Sequence, residues 1–570
     1  MRRKTPPWSF HDLDTTEQQR LARPVLHGRL ASPVPGTVPY ALPALGQLVR
    51  LSAAFAVFVA VFVLAGRSEH PLSIMRPGLF VTFVSVAVPT VAALVAAFAL
   101  YRPWQALLLV LALIPFWNGA YVWLQVGPVQ VILQTVFVVT LSIGAATTRP
   151  SRGAFLWSAG DLRAIGRTQG FAAFRFAEVA VAGLVGLAVV STAASPNVTL
   201  SATVLLHGIL EPIALAAILV YLRPSRRDLV MVGVALGVSI GLATAFNLAE
   251  MLPTINSLAS FQAHRLQFAY ASFYNVGIFA AVVAMIVPLT VAALASRRSL
   301  SLPRWATALV IATLFLGLVG LFFSLSKSAW IATGGGTVLL MLLVVQSWRR
   351  RLTLVLAAAA VSTLFIPWPA FFLQVAPSID SGYRTVMVAL VGESRFDSWN
   401  PATIAGRGSM LERFYAADAG VKMAIANPVL GVGLDQFGPN YTNPAYRPPQ
   451  ALDTLDHAHS FFPEIGAELG VAAAALVLVI YAATLWAVWR VYRNARDQLT
   501  KFLSAGLIAS IVAWLVVATI YGCDIYRPDR ALSSDVVVSA IVLGAAIALA
   551  RTVRAEQPWR PSGPSRGALP

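Results

Sequence analysis

Apolar runs of about 20 residues recur along most of this 570-residue chain, and they limit its fold more than any other feature. A helix of that length crosses the roughly 30 Å hydrocarbon layer of a bilayer. Hydrophobic residues make up 58% of the chain and charged residues only 12%, against about 25% charged residues in soluble domains. These values exclude a soluble enzyme and a disordered chain, so we predict an all-α polytopic membrane protein.

The apolar pattern predicts 12 to 14 transmembrane helices. The third predicted span is short and the fourth contains Gly127 and Pro128, so these two together are a candidate re-entrant unit. The twelfth is too long for one crossing, and we expect it to begin with an interfacial turn. The spans lie near 46–66, 78–100, 104–119, 124–146, 172–194, 200–222, 228–250, 269–295, 305–325, 329–347, 352–373, 458–489, 502–521 and 534–551.

Lys and Arg residues are distributed unequally between the two sets of loops. With the N-terminus inside, the cytoplasmic side collects about 29 basic residues and the other side about 12. Both termini are therefore predicted to be cytoplasmic. The formal charge of +18 reflects this orientation and membrane-lipid contact, and we expect no nucleic-acid partner.

This topology divides the chain into five predicted parts. Residues 1–45 form a basic, Pro-rich cytoplasmic tail, 46–373 hold helices 1–11, and 374–457 form one large extracytoplasmic (periplasmic) loop. Residues 458–551 hold helices 12–14, and 552–570 form a second cytoplasmic tail. Within the loop, 409–426 predicts an amphipathic helix lying on the membrane, with one face formed by Met410, Phe414, Ala417, Val421 and Ala424.

Four clusters of polar or charged residues fall on the predicted outer side. They are Arg265 with Tyr274 and Asn275; Lys327 in a tight turn; Arg407, Glu412 and Arg413 in the long loop; and Asp456, His457, His459, Ser460, Glu464 and Glu468 at the start of the twelfth span. Taken singly, each basic side chain is also typical of an interfacial anchor or a solvated charge. Each His, taken singly, is also typical of a structural hydrogen bond. His207 and Glu211 lie four residues apart inside the sixth span. Ionisable groups inside the membrane are functional candidates, and the alternative is that these two residues form a structural pair.

The order of the outer clusters resembles the bacterial O-antigen ligase and O-antigen polymerase family. The resemblance covers roughly 260–475, and its specific part is Pro-Val-Leu-Gly-Val-Gly433 followed by His457-Ala-His459-Ser and Ala-Glu468-Leu-Gly470. Two positions depart from the family pattern. Ser460 stands where the family usually has Asn, and Ser326-Lys327-Ser328 where it has Ser-Arg-Gly.

The resemblance implies a membrane glycosyltransferase that is independent of metal and needs no cofactor. Its donor is an oligosaccharide on undecaprenyl diphosphate, and its acceptor is a sugar hydroxyl on another lipid-linked repeat unit or on lipid A core. An imidazole near neutral pKa can take the hydroxyl proton, so His459 is the candidate base and His457 the second choice. The candidate diphosphate cradle consists of Arg265, Lys327, Arg407 and Arg413. The candidate supporting residues are Asn275, Tyr274, Glu468 and Asp456.

The predicted outer loop at 67–77 offers only Glu69, whereas metal-dependent membrane glycosyltransferases commonly carry paired carboxylates in such a loop. Protein cations are therefore expected to stabilise the leaving diphosphate, and direct attack predicts an inverting enzyme.

Among the possible functions, a polymerase is the first choice. An O-antigen ligase or a protein O-oligosaccharyltransferase would use the same chemistry. A polysaccharide-lipid flippase or transporter is the alternative of another class, and it would use His207 and Glu211.

Overall fold

The computed structural model describes residues 90–117, 122–126, 129–147, 172–252, 276–300, 303–324, 326–345, 347–353, 404–451, 454–520 and 534–556, with a few isolated positions elsewhere. Nearly all of these residues are helical, which confirms the all-α fold class. The predicted spans at 46–66 and 352–373 fall almost wholly outside the described residues.

The helices are numbered here in chain order, and a π-helical segment, Leu205–Leu210, joins α6 to α7. They are α1 Thr90–Ala99, α2 Pro103–Ala112, α3 Ile114–Trp117, α4 Leu133–Thr147, α5 Ala172–Ala194, α6 Val198–Val204, α7 Glu211–Tyr221, α8 Arg226–Met251, α9 Val276–Ala295, α10 Arg297–Leu300, α11 Arg304–Ser324, α12 Lys327–Val344, α13 Ile404–Ala426, α14 Phe437–Tyr441, α15 Phe461–Leu469, α16 Val471–Asn494, α17 Gln498–Ile520 and α18 Ser534–Glu556.

Within the described residues, eight helical stretches are long and apolar enough to cross a membrane, and each coincides with a predicted span. The predicted span at 329–347 corresponds to the shorter apolar helix α12. The eight stretches are Phe176–Ala194, Val198–Tyr221, Arg226–Ala249, Gly277–Ala295, Arg304–Ser324, Val471–Asn494, Gln498–Ile520 and Asp535–Arg554.

The fourth predicted span begins later than the sequence indicated. Strands β1 (Val122–Val126) and β2 (Val129–Ile132) form an antiparallel hairpin, and α4 starts only at Leu133. The Gly-Pro pair between the strands disfavours a continuous helix, and the β-branched residues beside it favour extended backbone. At 15 residues, α4 is about 22 Å long and shorter than the hydrocarbon layer.

The twelfth predicted span does break, as expected. Helix α15 ends at Leu469, Gly470 has a φ of +89°, and α16 begins at Val471. A Cβ atom on Gly470 would lie 2.6 Å from the carbonyl group of Val429. Only glycine therefore allows both the left-handed backbone and the close approach of the preceding loop.

Helix α9 forms the centre of the described bundle and packs against α8, α11, α12, α17 and α18. Small residues let these helices approach closely. A Cβ on Gly506 would lie 2.5 Å from the Cβ of Ala292, and one on Gly320 would lie 2.5 Å from the ring of Phe279. Lipid supplies no hydrophobic drive between membrane helices, so close van der Waals packing of this kind stabilises them.

The helix predicted at 409–426 is present as α13. On its predicted apolar face, Phe414 and Val421 are exposed, as side chains that meet a membrane would be, whereas Ala424 is buried against α15. A further face carries Ala416, Ala419 and Met423 and is buried in the protein, because α15 packs against small residues on that side of α13. That α13 lies on the membrane stays a prediction.

Candidate active site

The two histidines of the outer motif lie against one another. The ring centroids of His457 and His459 are 3.8 Å apart, and the ring planes are tilted by 50°. His459 has a φ of +51°, a left-handed conformation that costs a non-glycine residue about 1 kcal/mol. This backbone, rather than the shared face of a strand, brings the rings together. Local strain of this kind is concentrated at functional sites.

Asp456 supplies a carboxylate to this pair. Its Oδ1 lies 3.0 Å from Nδ1 of His457, and its side chain is 47% exposed while that of His457 is 12% exposed. A carboxylate that contacts one ring nitrogen fixes the orientation of the imidazole ring. The structure therefore links Asp456, His457 and His459 in one row, with an acidic group at its outer end.

Ala458, between the two histidines, fixes the row to α13. It is fully buried, and a Cβ atom on Gly420 of α13 would lie 3.2 Å from the Cβ of Ala458. Gly438, in α14, approaches Asp456 just as closely, because a Cβ there would lie 3.1 Å from its Cα. Sequence reasoning missed these two glycines, since neither carries a chemical group.

The Pro-Val-Leu-Gly-Val-Gly segment lies against the end of α15. The amides of Val432 and Gly433 donate to the carbonyls of Ala467 and Glu468, at 2.8 and 3.1 Å. Gly431 has a φ of +65°, and a Cβ atom there would lie 2.3 Å from the carbonyl carbon of Glu468. The Pro-Val-Leu-Gly-Val-Gly segment and the end of α15 therefore form one joint, which is built by backbone contacts.

Glu468 contributes to this joint. Its side chain is 4% exposed, and its Oε1 accepts a hydrogen bond of 3.3 Å from the amide of Phe437, at the start of α14. Glu464, one turn earlier on α15, is equally buried. Glu468 thus helps to position α14, and its supporting role in the reaction stays a prediction.

Two serines of the transmembrane bundle also hold the joint, and sequence reasoning missed both. The hydroxyl of Ser191 donates to the carbonyls of Leu430 and Glu468, at 2.8 and 3.2 Å. The hydroxyl of Ser201 donates to the carbonyl of Leu434 at 2.7 Å. Both lie on apolar helices more than 200 residues upstream, where nothing in the sequence distinguishes them from other small residues.

Ser460 connects the histidine row to a third helix. Its hydroxyl donates to the carbonyl of Thr519, near the end of α17, at 3.1 Å. A serine hydroxyl supplies this donor as an Asn amide would. The position where the chain departs from the family pattern thus retains a hydrogen bond to a transmembrane helix.

The predicted cations fall into three groups. Arg413 is exposed on α13, beside the buried Glu412. Arg407 lies on the same helix and Lys327 is the first residue of α12, but the structure does not describe these two side chains. Three further site residues lie outside the described residues: Arg265, Tyr274 and Asn275. The cradle formed by Arg265, Lys327, Arg407 and Arg413 therefore stays a prediction.

The start of α12 has features that suit an anion. The hydroxyls of Ser326 and Ser328 are 3.2 Å apart, and the indole of Trp330 donates to the carbonyl of Leu321 at 2.8 Å. The tryptophan thereby ties the first turn of α12 to the preceding helix. Amides at the start of a long helix attract negative charge, which adds to the charge of Lys327.

The described residues contain no group of three or more His, Cys, Asp or Glu side chains with the spacing of a metal site. The loop at 67–77 lies outside them. Independence from metal stays a prediction from the resemblance.

His207 and Glu211 form a second histidine–carboxylate pair. Nδ1 of His207 lies 3.1 Å from Oε2 of Glu211, and the two side chains are 0% and 3% exposed. The hydroxyl of Thr135, on α4, donates to Oε1 of Glu211 at 2.5 Å. The predicted contact across one turn is present, and it sits where the π segment meets α7.

Residues 312–478 match the family described as O-antigen ligase. This stretch runs from α11 through α12, α13 and the joint into α16, and it contains Lys327, Arg407, Arg413 and the row from Asp456 to His459. No curated protein matches the chain. The family motifs and the joint that they form lie within the matched stretch. Residues 312–478 are therefore similar to an O-antigen ligase domain, which supports the resemblance of the chain to the O-antigen ligase and polymerase family.

Proposed function

We propose that the protein polymerises lipid-linked oligosaccharide repeat units at the outer face of the bacterial inner membrane. The observation that carries this proposal is the row Asp456, His457, His459 within the O-antigen ligase domain. Two imidazole rings in contact, one of which also contacts a carboxylate, are suited to taking up a proton and stabilising the resulting charge.

In the proposed reaction, an imidazole of the row, with His459 as first choice, removes the proton from an acceptor sugar hydroxyl. The hydroxyl oxygen forms a bond to the anomeric carbon of the donor, and the bond from that carbon to the diphosphate oxygen breaks. Undecaprenyl diphosphate leaves with its electron pair. Because one displacement occurs, the anomeric configuration inverts.

The departing diphosphate needs positive charge at the moment of bond breaking. Arg265, Lys327, Arg407 and Arg413 are proposed to supply it. Lys327 lacks the bidentate fork of an Arg, but it begins α12, whose free amides add hydrogen-bond donors at the same place. In this scheme protein cations, in place of a metal ion, stabilise the negative charge of the leaving diphosphate.

The test uses purified protein in lipid nanodiscs with undecaprenyl-diphosphate oligosaccharide as the only glycan, in EDTA. A ladder of longer lipid-linked glycans is expected, since donor and acceptor are then the same compound. Transfer only after lipid A core or a protein acceptor is added would instead assign a ligase or an O-oligosaccharyltransferase. Loss of the ladder in EDTA, with recovery on adding a divalent metal, would contradict the metal-independent scheme.

The flippase alternative makes a different prediction in the same nanodiscs or in vesicles. A flippase moves the lipid-linked glycan between leaflets and leaves its length unchanged. Movement without new glycosidic bonds, lost on changing His207 or Glu211, would replace the proposal.

A further inference from the structure

Helix α17 contacts the active-site segment at two successive residues, which follow directly after His459. The hydroxyl of Ser460 donates to the carbonyl of Thr519 at 3.1 Å. The ring of Phe461 meets the ring of Trp514 edge to face, with centroids 5.9 Å apart and planes at 65°, an arrangement that aromatic pairs prefer. Thr519 and Trp514 are about 7.5 Å apart along α17, so the helix holds the segment at two separate points.

The backbone of His459 depends on such support. Its φ of +51° is unfavourable for a residue with a side chain, and such a conformation persists only where the surrounding structure holds it. On the N-terminal side, Ala458 is buried against Gly420 of α13. On the C-terminal side, the restraint is the pair of contacts with α17. Trp514 thus touches the chain at a residue only two positions from His459.

A hydrogen-bond network through three helices fixes the indole of Trp514. The indole is buried and donates to the hydroxyl of Tyr481, on α16, at 2.5 Å. The hydroxyl of Tyr481 donates to the hydroxyl of Ser539, on α18, at 3.4 Å. Ser539 in turn donates to the carbonyl of Val536 at 2.9 Å. Because an indole nitrogen can only donate, the direction of every bond in this network is set.

The three side chains of this network lie in apolar helices. Tyr481, Trp514 and Ser539 are all buried, and each lies in a helix that is long and apolar enough to cross a membrane. Phe side chains would supply similar packing without polar groups that need partners away from water. A satisfied polar network instead fixes how its helices sit against one another. All three residues follow the stretch 312–478 that matches the O-antigen ligase family.

We propose that Trp514 and Tyr481 are positioning residues for His459, the proposed base. Ser539 supports Tyr481 in this role. The inference rests on the proposed function for the role of His459, and on the contacts of α17 for the rest. The network holds Trp514, Trp514 holds Phe461, and Phe461 begins the helix that leaves the histidine row. The three residues act through Phe461 and not through contact with the substrate.

The test compares two tyrosines of α16. Tyr481→Phe removes the hydroxyl that holds Trp514. Tyr492→Phe is the matched control, because the hydroxyl of Tyr492 also makes a 2.5 Å hydrogen bond, to the carbonyl of Leu343, but lies about 16 Å further along the helix. Glycan transfer is measured with purified protein in nanodiscs. Tyr481→Phe is expected to lower kcat about tenfold with KM unchanged, since the base acts in the transition state. Tyr492→Phe is expected to change neither.

A second readout requires no sugar transfer. Diethyl pyrocarbonate modifies accessible imidazoles, and mass spectrometry of the fragments gives separate rates for His457 and His459. Without the hydroxyl of Tyr481 the segment opens more often, so the rate at His459 is expected to rise about threefold. Tyr492→Phe is expected to leave that rate unchanged.

Two further variants sharpen the test. Trp514→Phe keeps a ring against Phe461 but has no N–H to donate, so combining it with Tyr481→Phe is expected to add little to either loss. Ser539→Ala leaves both rings in place. It is expected to give a smaller change in the same direction, and it replaces Tyr481→Phe if that variant does not fold.

Equal losses of kcat in Tyr481→Phe and Tyr492→Phe would show a general effect on the bundle and overturn the proposal. Normal kcat together with an unchanged rate at His459 in Tyr481→Phe would also overturn it, and would leave the polymerase standing. If the unaltered protein transfers no sugar but the rate at His459 still rises in Tyr481→Phe, the positioning contacts hold and the polymerase is rejected.

Discussion

The part of the chain that the structure describes contains two histidine–carboxylate pairs whose groups are alike and whose surroundings are opposite. Asp456 and His457 lie 3.0 Å apart in the segment before α15, with side chains 47% and 12% exposed. His207 and Glu211 lie 3.1 Å apart, and both are buried within a transmembrane segment. Of these two pairs, the first is partly open to solvent and the second is not, so we expect the first to meet a substrate hydroxyl and exchange protons with water. Access, rather than residue type, therefore separates a catalytic candidate from a structural one.

The largest expected effect is on the accessible pair. His459→Ala removes the proposed base, and general-base catalysis contributes about 10²–10⁴-fold, so transfer is expected to fall by that factor. The measurement is the rate of glycan transfer by purified protein with an unchanged gel-filtration profile. Near-normal activity would reject His459 as base, and a greater loss in His457→Ala would exchange the two roles.

The buried pair is expected to affect stability and not chemistry. His207→Leu leaves the Glu211 carboxylate buried beside Thr135 alone, and breaking a buried pair costs about 3–5 kcal/mol. The double variant His207→Leu with Glu211→Leu removes both groups and is expected to recover most of that loss. Unfolding in detergent would measure both.

Transfer per folded molecule is expected to stay normal in that double variant. A well-folded double variant without activity would break the comparison, because the buried pair would then take part in function.

A smaller effect is expected from the carboxylate of the accessible pair. Asp456→Asn keeps the shape but removes the charge that stabilises a protonated His457. A hydrogen bond to a charged group contributes about 1.5 kcal/mol, so kcat is expected to fall about tenfold with little change in KM. Asp418→Asn is the matched control, since Asp418 is also in this loop and pairs with Lys422 at 2.7 Å.

The smallest effect is expected at an ion pair on the surface, Arg226 with Asp497, 2.5 Å apart. Burial raises the pKa of Asp497, but hydrogen bonds from the amide and hydroxyl of Thr500 and the nearby Arg226 outweigh it and leave the pKa below its ordinary value. A carboxyl whose pKa is lowered on folding stabilises the fold above its unfolded pKa, and this contribution disappears as the pH falls through the folded pKa.

Asp497→Asn is therefore expected to cost at most about 0.5 kcal/mol at pH 7, because solvent screens this exposed pair. Thermal unfolding of the variant and the unaltered protein should converge as the pH falls below about 4. A difference that persists at lower pH would show that the contact acts through packing.

The sequence predicted transmembrane helices well where an apolar run is uninterrupted. The apolar run Val276–Ala295 predicts a helix without knowledge of its neighbours, because hydrocarbon requires every backbone N–H and C=O group to be hydrogen-bonded within the segment. The prediction was wrong where a β-hairpin replaces the start of the fourth span, since strands 122–126 and 129–132 satisfy each other's backbone groups. The face of α13 that packs inside the protein, with Ala416 and Ala419, was not predicted, because the partner helix α15 selects which face is buried.

By itself, the sequence determined the membrane class, most of the described spans, the break near Gly470 and the residue types of the active-site candidates, because these depend on local composition and spacing. Only the tertiary structure decided which of those residues meet. It brought the rings of His457 and His459 into contact through a left-handed backbone, placed Glu468 at the joint, and recruited Ser191 and Ser201 from distant helices. Each of these features depends on contacts between residues far apart in the chain, and such contacts leave no periodic signal in the sequence.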